Sequence, residues 1–376
     1  MKIISKEIPI EELIINVQEN LKSFEKYILI STKDMSNQIK MNLEVFCPKI
    51  KSATLNCLIE KVPGEFMHPL IVIKLDRTFV KKEELEQFTQ IHKEIFPLIL
   101  FSHGDGGVAT QNLSQIEELV SRGYIVIAPN HTYNASITFD KDGTPITYKS
   151  NITWAEQSLH NKKYYANQLI RYRYEDMIFL LNEISKTELQ GAVVNPYHAM
   201  INFDRIGMMG HSMGAGTSYH ALINNKRINS VVALDGWFFP LDQKTFSTKT
   251  NKPFLHLGQE EFLDLSVGGD INDSEVGKIN FDIHNTILKN NSSSFVVYVK
   301  NSLHQDFTDF KQTYIQDRPF TFPISGLGDV SKNKIKNIMN KSIVEFFDYT
   351  LKEKTFDMAV LDKYKKSIET NYDISK

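Results

Sequence analysis

Ser212 stands at the centre of Gly210-His211-Ser212-Met213-Gly214, directly after the apolar run Ile206-Gly207-Met208-Met209 and directly before Ala215-Gly216-Thr217-Ser218. An apolar strand, a sharp turn and a small-residue helix start are the context in which Gly-x-Ser-x-Gly becomes a nucleophile elbow, with the serine at the apex of a strained turn. The flanking glycines suit such a turn, because a Cβ at either position would collide with the neighbouring strand or helix. A serine hydroxyl is a poor nucleophile near neutral pH unless an imidazole accepts its proton. That imidazole in turn needs a carboxylate to fix its tautomer and steady its charge.

The chain must therefore supply an acid and a histidine, and on a strand-turn-helix elbow they follow in the order Ser, acid, His, the histidine on a loop after the last strand. Eleven histidines reduce quickly under that order. His220 belongs to the helix of the elbow, His256 lies inside the apolar run Pro253-Phe254-Leu255-His256-Leu257, and His284 precedes the last strong strand signal, Ser294-Phe295-Val296-Val297-Tyr298-Val299. His304 falls just after that strand and is the expected base; His211 is expected to pack under the elbow. Two strand ends offer an acid. One is Asp235, after Val231-Val232-Ala233-Leu234; the other is the group Glu260, Glu261 and Asp264 after the following strand. A carboxylate leaving a strand beside Gly236 has no local structural need, yet the later strand end is the commoner place for the acid, so residue chemistry alone leaves both open. An oxyanion would need two backbone N–H donors, one expected from Met213 and the other from the turn His103-Gly104-Asp105-Gly106 that ends the strand beginning Phe96-Pro97-Leu98.

Four segments in order, Phe101-Ser102-His103-Gly104-Asp105-Gly106, the elbow, Ala233-Leu234-Asp235-Gly236-Trp237-Phe238-Phe239-Pro240-Leu241 and His304-Gln305-Asp306-Phe307-Thr308-Asp309-Phe310, resemble the platelet-activating factor acetylhydrolase family of the plasma/intracellular type II kind, over roughly residues 40 to 350. The resemblance implies an α/β-hydrolase fold and a triad on Ser212, Asp235 and His304, with the acid after the strand that follows the elbow helix. It also implies that the second oxyanion donor is the N–H of Asp105, where relatives usually carry an apolar residue. A carboxylate pointing into the hole would oppose an oxyanion, so the Asp105 side chain is expected to turn outward. Trp237 and Phe238, directly after the acid, are candidate walls of an acyl pocket, core packing being the other reading of Phe238.

Composition agrees with one catalytic domain. The chain has 376 residues, 41% of them hydrophobic, and a formal charge of −2 without a basic stripe, so nucleic acid is not an expected partner. Cys47 and Cys57 make no disulfide framework. The start Met1-Lys2-Ile3-Ile4-Ser5-Lys6-Glu7 carries an acid where a signal peptide needs its apolar core, which predicts a cytoplasmic protein. The acidic run Asp270, Asn272, Asp273, Glu275 lacks the ligand spacing of a calcium loop, and no metal site or cofactor is expected.

Periodicity predicts a helical extension over residues 1–38, with Ile10, Leu13, Ile14, Val17 and Leu21 at helical spacing, then a catalytic domain over 39–353 and a polar tail over 354–376. Within the domain, strands at 39–47, 53–62 and 71–75 read as antiparallel. From Phe96 onward, apolar runs alternate with amphipathic helices, a long one near 155–185 and a last one near 332–350. Such alternation predicts an α/β fold with a mostly parallel central sheet and helices on both faces.

The resemblance implies a calcium-independent serine esterase acting on short or oxidised sn-2 acyl esters of glycerophospholipids. The alternatives are a general carboxylesterase or dienelactone- or polyester-type hydrolase, and a catalytically silent lipid-binding module. Relatives that act on lipoproteins carry an apolar helix before the Phe-Ser-His-Gly segment; here the helix expected over residues 81–95 holds four acidic groups, Glu83, Glu84, Glu86 and Glu94, together with Lys81, Lys82 and Lys93. Weak or no membrane association is therefore expected, with a small-molecule or monomerically dispersed lipid ester as partner.

Overall fold

A computed structural model describes residues 95–139, 145–149, 157–189, 198–262, 275–314 and 326–371, together with the backbone of Ile30–Lys33, Gln38–Met41, Leu43–Phe46, Thr54–Glu60, Leu70–Asp76 and Val193–Val194. Among the described residues the central sheet has eight strands: β1 (Leu43–Phe46), β2 (Phe96–Ser102), β3 (Ile125–Pro129), β4 (Ile201–His211), β5 (Ile228–Leu234), β6 (Phe254–Gln259), β7 (Ser294–Val299) and β8 (Ile368–Thr370). In space they run β8-β7-β6-β5-β4-β2-β3-β1. Pairing is parallel from β3 to β7, and only the two edge strands, β1 on β3 and β8 on β7, are antiparallel.

Strands of this kind read as unbroken apolar runs because both faces are covered. Along β2, Ile99 and Phe101 point to one face and Leu98 and Leu100 to the other, as the two-residue period of a strand demands. On the first face lie α1 (Leu113–Ser121) and the C-terminal α5 (Lys332–Lys352), which bring Ile116, Leu119, Ile338, Phe346 and Phe347 against Val126, Met209, Val232 and Val297. The second face takes α2 (Leu159–Ile184), α3 (Met213–Asn224) and α4 (Glu275–Asn290), whose Ile170, Met177, Leu181, Ala215, Tyr219 and Ile283 pack on Leu98, Ile127, Met208 and Val231. Ser158 caps α2 by accepting the Asn161 N–H.

The expected fold class stands, but the two expected boundaries do not. Residues 354–371, read from sequence as part of a polar tail, carry the 3₁₀ turn Met358–Tyr364 and then β8. Met358, Leu361, Tyr364 and Ile368 are buried in the same core as α1 and α5. Asn371 completes the sheet edge: its Oδ1 accepts the Val296 N–H at 2.9 Å and its Nδ2 donates to the Ser294 carbonyl at 2.9 Å. At the other end of the chain, Ile30–Lys33 pairs with Gln38–Met41 as a hairpin, so the expected boundary at residue 38 cuts a strand. Ile10 to Leu21, on which the expected helical extension rests, the polar segment 81–94 and most of the acidic run at 270–275 lie outside the described residues. No helix among the described residues is long and apolar enough to cross a membrane.

Leu361→Ala tests the integration of the C-terminal segment. Its side chain is fully buried, and emptying such a site costs about 2–5 kcal/mol. We expect the urea midpoint to fall accordingly with an unchanged m value, whereas a solvated tail would lose nothing.

Candidate active site

The elbow owes its shape to the end of β4. Ser212 has φ 54° and ψ −120°, a left-handed conformation that costs a non-glycine residue about 1–3 kcal/mol. Four backbone bonds hold it there: the Ser212 N–H donates to Leu234 O at 3.0 Å, and the Ser212 carbonyl accepts from Trp237 N–H at 3.0 Å, from Ala215 N–H at 3.0 Å and from Gly216 N–H at 3.2 Å. The first two tie the serine directly to the end of β5. A Cβ on residue 210 would come within 2.3 Å of the Gly214 backbone, so the turn closes only with glycine.

Asp235 follows β5, also at positive φ (43°), and is 2% exposed. Its Oδ1 accepts the Gln259 N–H at 2.8 Å, and its Oδ2 accepts Gln259 Nε2–H at 3.1 Å and His304 Nδ1–H at 2.6 Å. The carboxylate thereby makes Nδ1 the protonated nitrogen of His304. His304 opens the 3₁₀ turn His304–Phe307 beyond β7 and keeps its ring 27% exposed, while Asp235 is out of solvent. Of the alternative acids, Glu260 accepts the Asn301 N–H at 3.2 Å and Glu261 is buried. Asp264 lies outside the described residues.

His211 packs beneath the site. Its Nδ1 accepts from Gln111 Nε2–H at 2.7 Å, and its Nε2–H donates to the His304 carbonyl at 3.1 Å, the two rings lying 4.5 Å apart. Burial first, and the neighbouring His304 second, hold its pKa well below the usual imidazole range, so it is neutral, as its two partners require. Gln111 also accepts the Gly104 N–H at 3.0 Å through Oε1, and its own carbonyl accepts the Asp309 N–H at 3.0 Å. One glutamine thus joins the turn after β2, the elbow and the histidine loop.

That loop has a second anchor. Asp309 accepts Ser114 Oγ–H at 2.5 Å and the Ser114 N–H at 2.7 Å at the start of α1, and Asn112 Nδ2 donates to Phe307 O at 2.7 Å. Asp306 takes the Leu303 and Gly328 N–H groups and pairs with Lys311 at 2.8 Å.

The carboxylate of Asp105 is turned outward, accepting from Asn134 Nδ2 at 2.8 Å and Tyr148 OH at 2.9 Å. Met213 is the first residue of α3, so its N–H has no acceptor within the helix. Trp237 is half-buried and stacks on Phe239 at 5.7 Å. Phe238 corrects the sequence reading. Rather than walling a pocket, its ring is fully buried among Tyr219, Phe254, His256 and His284, because Asn280 Oδ1 accepts the N–H of both Phe238 and Phe239 and turns the chain into the core. Sequence reasoning passed over Gln111, Gln259 and Asn280, amides whose roles arise from contacts distant in the chain.

A strained serine between β4 and α3 on a mostly parallel sheet, with an aspartate and a histidine paired at the ends of the later strands, defines an α/β-hydrolase fold. The solved structure of a ferulic acid esterase from Streptomyces cinnamoneus shares it, with a TM-score of 0.54 and 23% identity over 69% of this chain and 68% of that one. The family model described as platelet-activating factor acetylhydrolase, isoform II, matches residues 70–372, and the chain belongs to that family. Similar relatives include a platelet-activating factor acetylhydrolase of Gallus gallus, 24% identical over 274 residues (67% of this chain, 61% of the relative), and one of Canis lupus familiaris, 25% identical over 271 residues (67% and 56%). A probable 1-alkyl-2-acetylglycerophosphocholine esterase of Arthroderma benhamiae is 28% identical over 164 residues (43% and 37%). The match spans about three fifths of the length of the first two relatives.

The Asp309 anchor makes a pH prediction. Burial raises its carboxyl to about 6 from the ordinary 3.8 despite the Ser114 donors. The folded protein therefore holds this proton to higher pH than the unfolded chain. The stability it contributes is fully present below about pH 4 and is lost as pH rises through about 6. Urea unfolding of wild type and Asp309→Asn should give a difference that changes across this window, against wild type as pH rises; a difference flat from pH 4 to 7 would contradict the assignment.

Proposed function

We propose that this chain is a serine esterase that hydrolyses short or oxidised sn-2 acyl esters of glycerophospholipids through an acyl-enzyme on Ser212. The observation that carries the reading is the 2.6 Å bond between Asp235 and His304, made directly beside the elbow that presents Ser212. With Nδ1–H held by the carboxylate, the other ring nitrogen, Nε2, is the basic one. It takes the proton of Ser212 as Oγ attacks the ester carbonyl, then delivers it to the leaving alcohol. Water attacks the acyl-enzyme by the same route and regenerates the serine. The Met213 and Asp105 N–H groups receive the oxyanion, a role open to amides already fixed before the substrate arrives.

Membership of the family and the names of the relatives support the lipid ester as substrate class. A monomerically dispersed substrate fits a chain whose residues 81–95 are strongly charged. We expect a fluorophosphonate probe to label wild type and not Ser212→Ala, and Ser212→Ala to abolish turnover. Asp235→Asn and His304→Ala should lower kcat by about 10⁴-fold, since triad members act as a unit. A series of 2-acyl glycerophosphocholines from acetyl to palmitoyl tests the substrate; a rate that rises with chain length, or equal turnover of simple aryl esters and acetyl phospholipid, would favour a general carboxylesterase.

A further inference from the structure

Arg173 lies on the inner face of α2 between Ile170 and Met177 and is 1% exposed. A guanidinium so placed is costly unless its donors are all taken. Here it meets no bidentate carboxylate. Its Nε–H donates to Asn134 Oδ1, one terminal nitrogen to the His103 carbonyl, and the other to the Gly104 carbonyl at 3.1 Å, with Asp105 Oδ1 further off at 3.9 Å. The fork therefore grips two consecutive backbone carbonyls of the turn after β2.

The Gly104 carbonyl takes two further donors, His103 Nδ1–H at 2.6 Å and the Gly107 N–H at 3.1 Å. His103 can donate from Nδ1 because its Nε2 accepts the His131 N–H at 3.1 Å, and burial keeps the ring neutral. The peptide between Gly104 and Asp105 is trans, so its N–H points opposite to its C=O. With the carbonyl drawn toward Arg173, the Asp105 N–H faces the other way. In the same turn the Gly104, Gly106 and Gly107 N–H groups are engaged by Gln111 Oε1, Asn134 O and Gly104 O, and no partner among the described residues takes that of Asp105.

We propose that Arg173 is the positioning residue of the oxyanion site: by pinning the His103 and Gly104 carbonyls on the α2 side, it holds the Asp105 N–H turned toward Ser212. Asn134 serves both halves of the arrangement, accepting from Arg173 and donating to the Asp105 carboxylate, which keeps that negative charge off the developing alkoxide. The inference rests on the reading of Ser212 as nucleophile.

The test compares wild type, Arg173→Lys, Arg173→Met and Ser212→Ala with p-nitrophenyl acetate as substrate and a trifluoromethyl ketone as inhibitor, whose hemiketal oxygen needs the same two donors. Lysine keeps a buried cation but gathers its donors on one nitrogen and lacks the planar fork that spreads them over the two carbonyls and the Asn134 amide, so it decides the matter if the methionine variant does not fold. We expect kcat to fall about 10–100-fold in Arg173→Lys, part of the loss expected for a whole oxyanion donor. KM should stay within about twofold, and trifluoromethyl ketone binding should weaken by the same factor as kcat. A variant with wild-type kcat and inhibitor affinity, whatever its melting temperature, or one whose loss is confined to KM, overturns the proposal. Turnover by Ser212→Ala would instead sink the parent reading, while a dead Ser212→Ala beside an undiminished Arg173→Lys would refute the positioning role alone.

Discussion

Helix α3 can start where it does only because residue 214 has no side chain. A Cβ there would lie 2.0 Å from the Ser102 carbonyl and 2.6 Å from that of His103. The first turn of the helix is thereby pressed onto the end of β2, and the left-handed conformation of Ser212 is the backbone's way of entering a helix so close to a neighbouring strand. Everything in the site inherits this closeness. Met213 reaches the turn after β2 because α3 does, and the end of β5 can accept the Ser212 N–H because β4 stops at the same level.

Around that contact the loops are fixed by polar side chains reaching over long sequence distances rather than by their own turns. The Gln111 side chain addresses Gly104 and His211 while its backbone carbonyl takes Asp309; Gln259 presents its amide side chain as well as its backbone N–H to Asp235; Asn280 takes two successive N–H groups. Primary amides suit this work, since one side chain offers both a donor pair and an acceptor and carries no charge that burial would penalise. Charge is confined to places where it is paired, as in Lys311 with Asp306, or divided over several acceptors, as in Arg173.

What the sequence discloses follows from how local each feature is. Parallel strands covered on both faces must be unbroken apolar runs, so β2 to β7 were legible to within a few residues, as were the bounds of α2 and α5. The elbow was legible because its pattern is local, Gly210 being demanded by the backbone of Gly214 four residues on and Gly214 standing in the same five-residue turn although its own constraint comes from β2. Asp235 was not separable from Glu260, Glu261 and Asp264 by residue chemistry; what separates them is which strand end faces His304, a matter of sheet order that the resemblance supplied. Phe238 looked like a pocket wall because aromatics after an acid often are, and only Asn280, forty-odd residues on, turns it inward. The C-terminal segment was missed for another reason. Leu361, Tyr364 and Ile368 sit among lysines in a 3₁₀ turn and a three-residue strand, too short for any period to emerge. Arg173 did leave a trace, a lone charge within an apolar helical stripe.

The pairing of β8 on β7 has a meaning beyond packing. β7 carries the histidine loop, and its Val296-Val297-Tyr298-Val299 is short, β-branched and uncharged. Left uncovered, its row of backbone donors and acceptors would be a template for strand addition by a second molecule. The last described residues prevent this, with Ile368, Glu369 and Thr370 in register against Val299, Tyr298 and Val297, and the Asn371 amide closing the two remaining positions. Loss of that short segment would do more than loosen a core: it would turn the strand behind His304 into an adhesive edge, so that self-association and inactivity would arrive together.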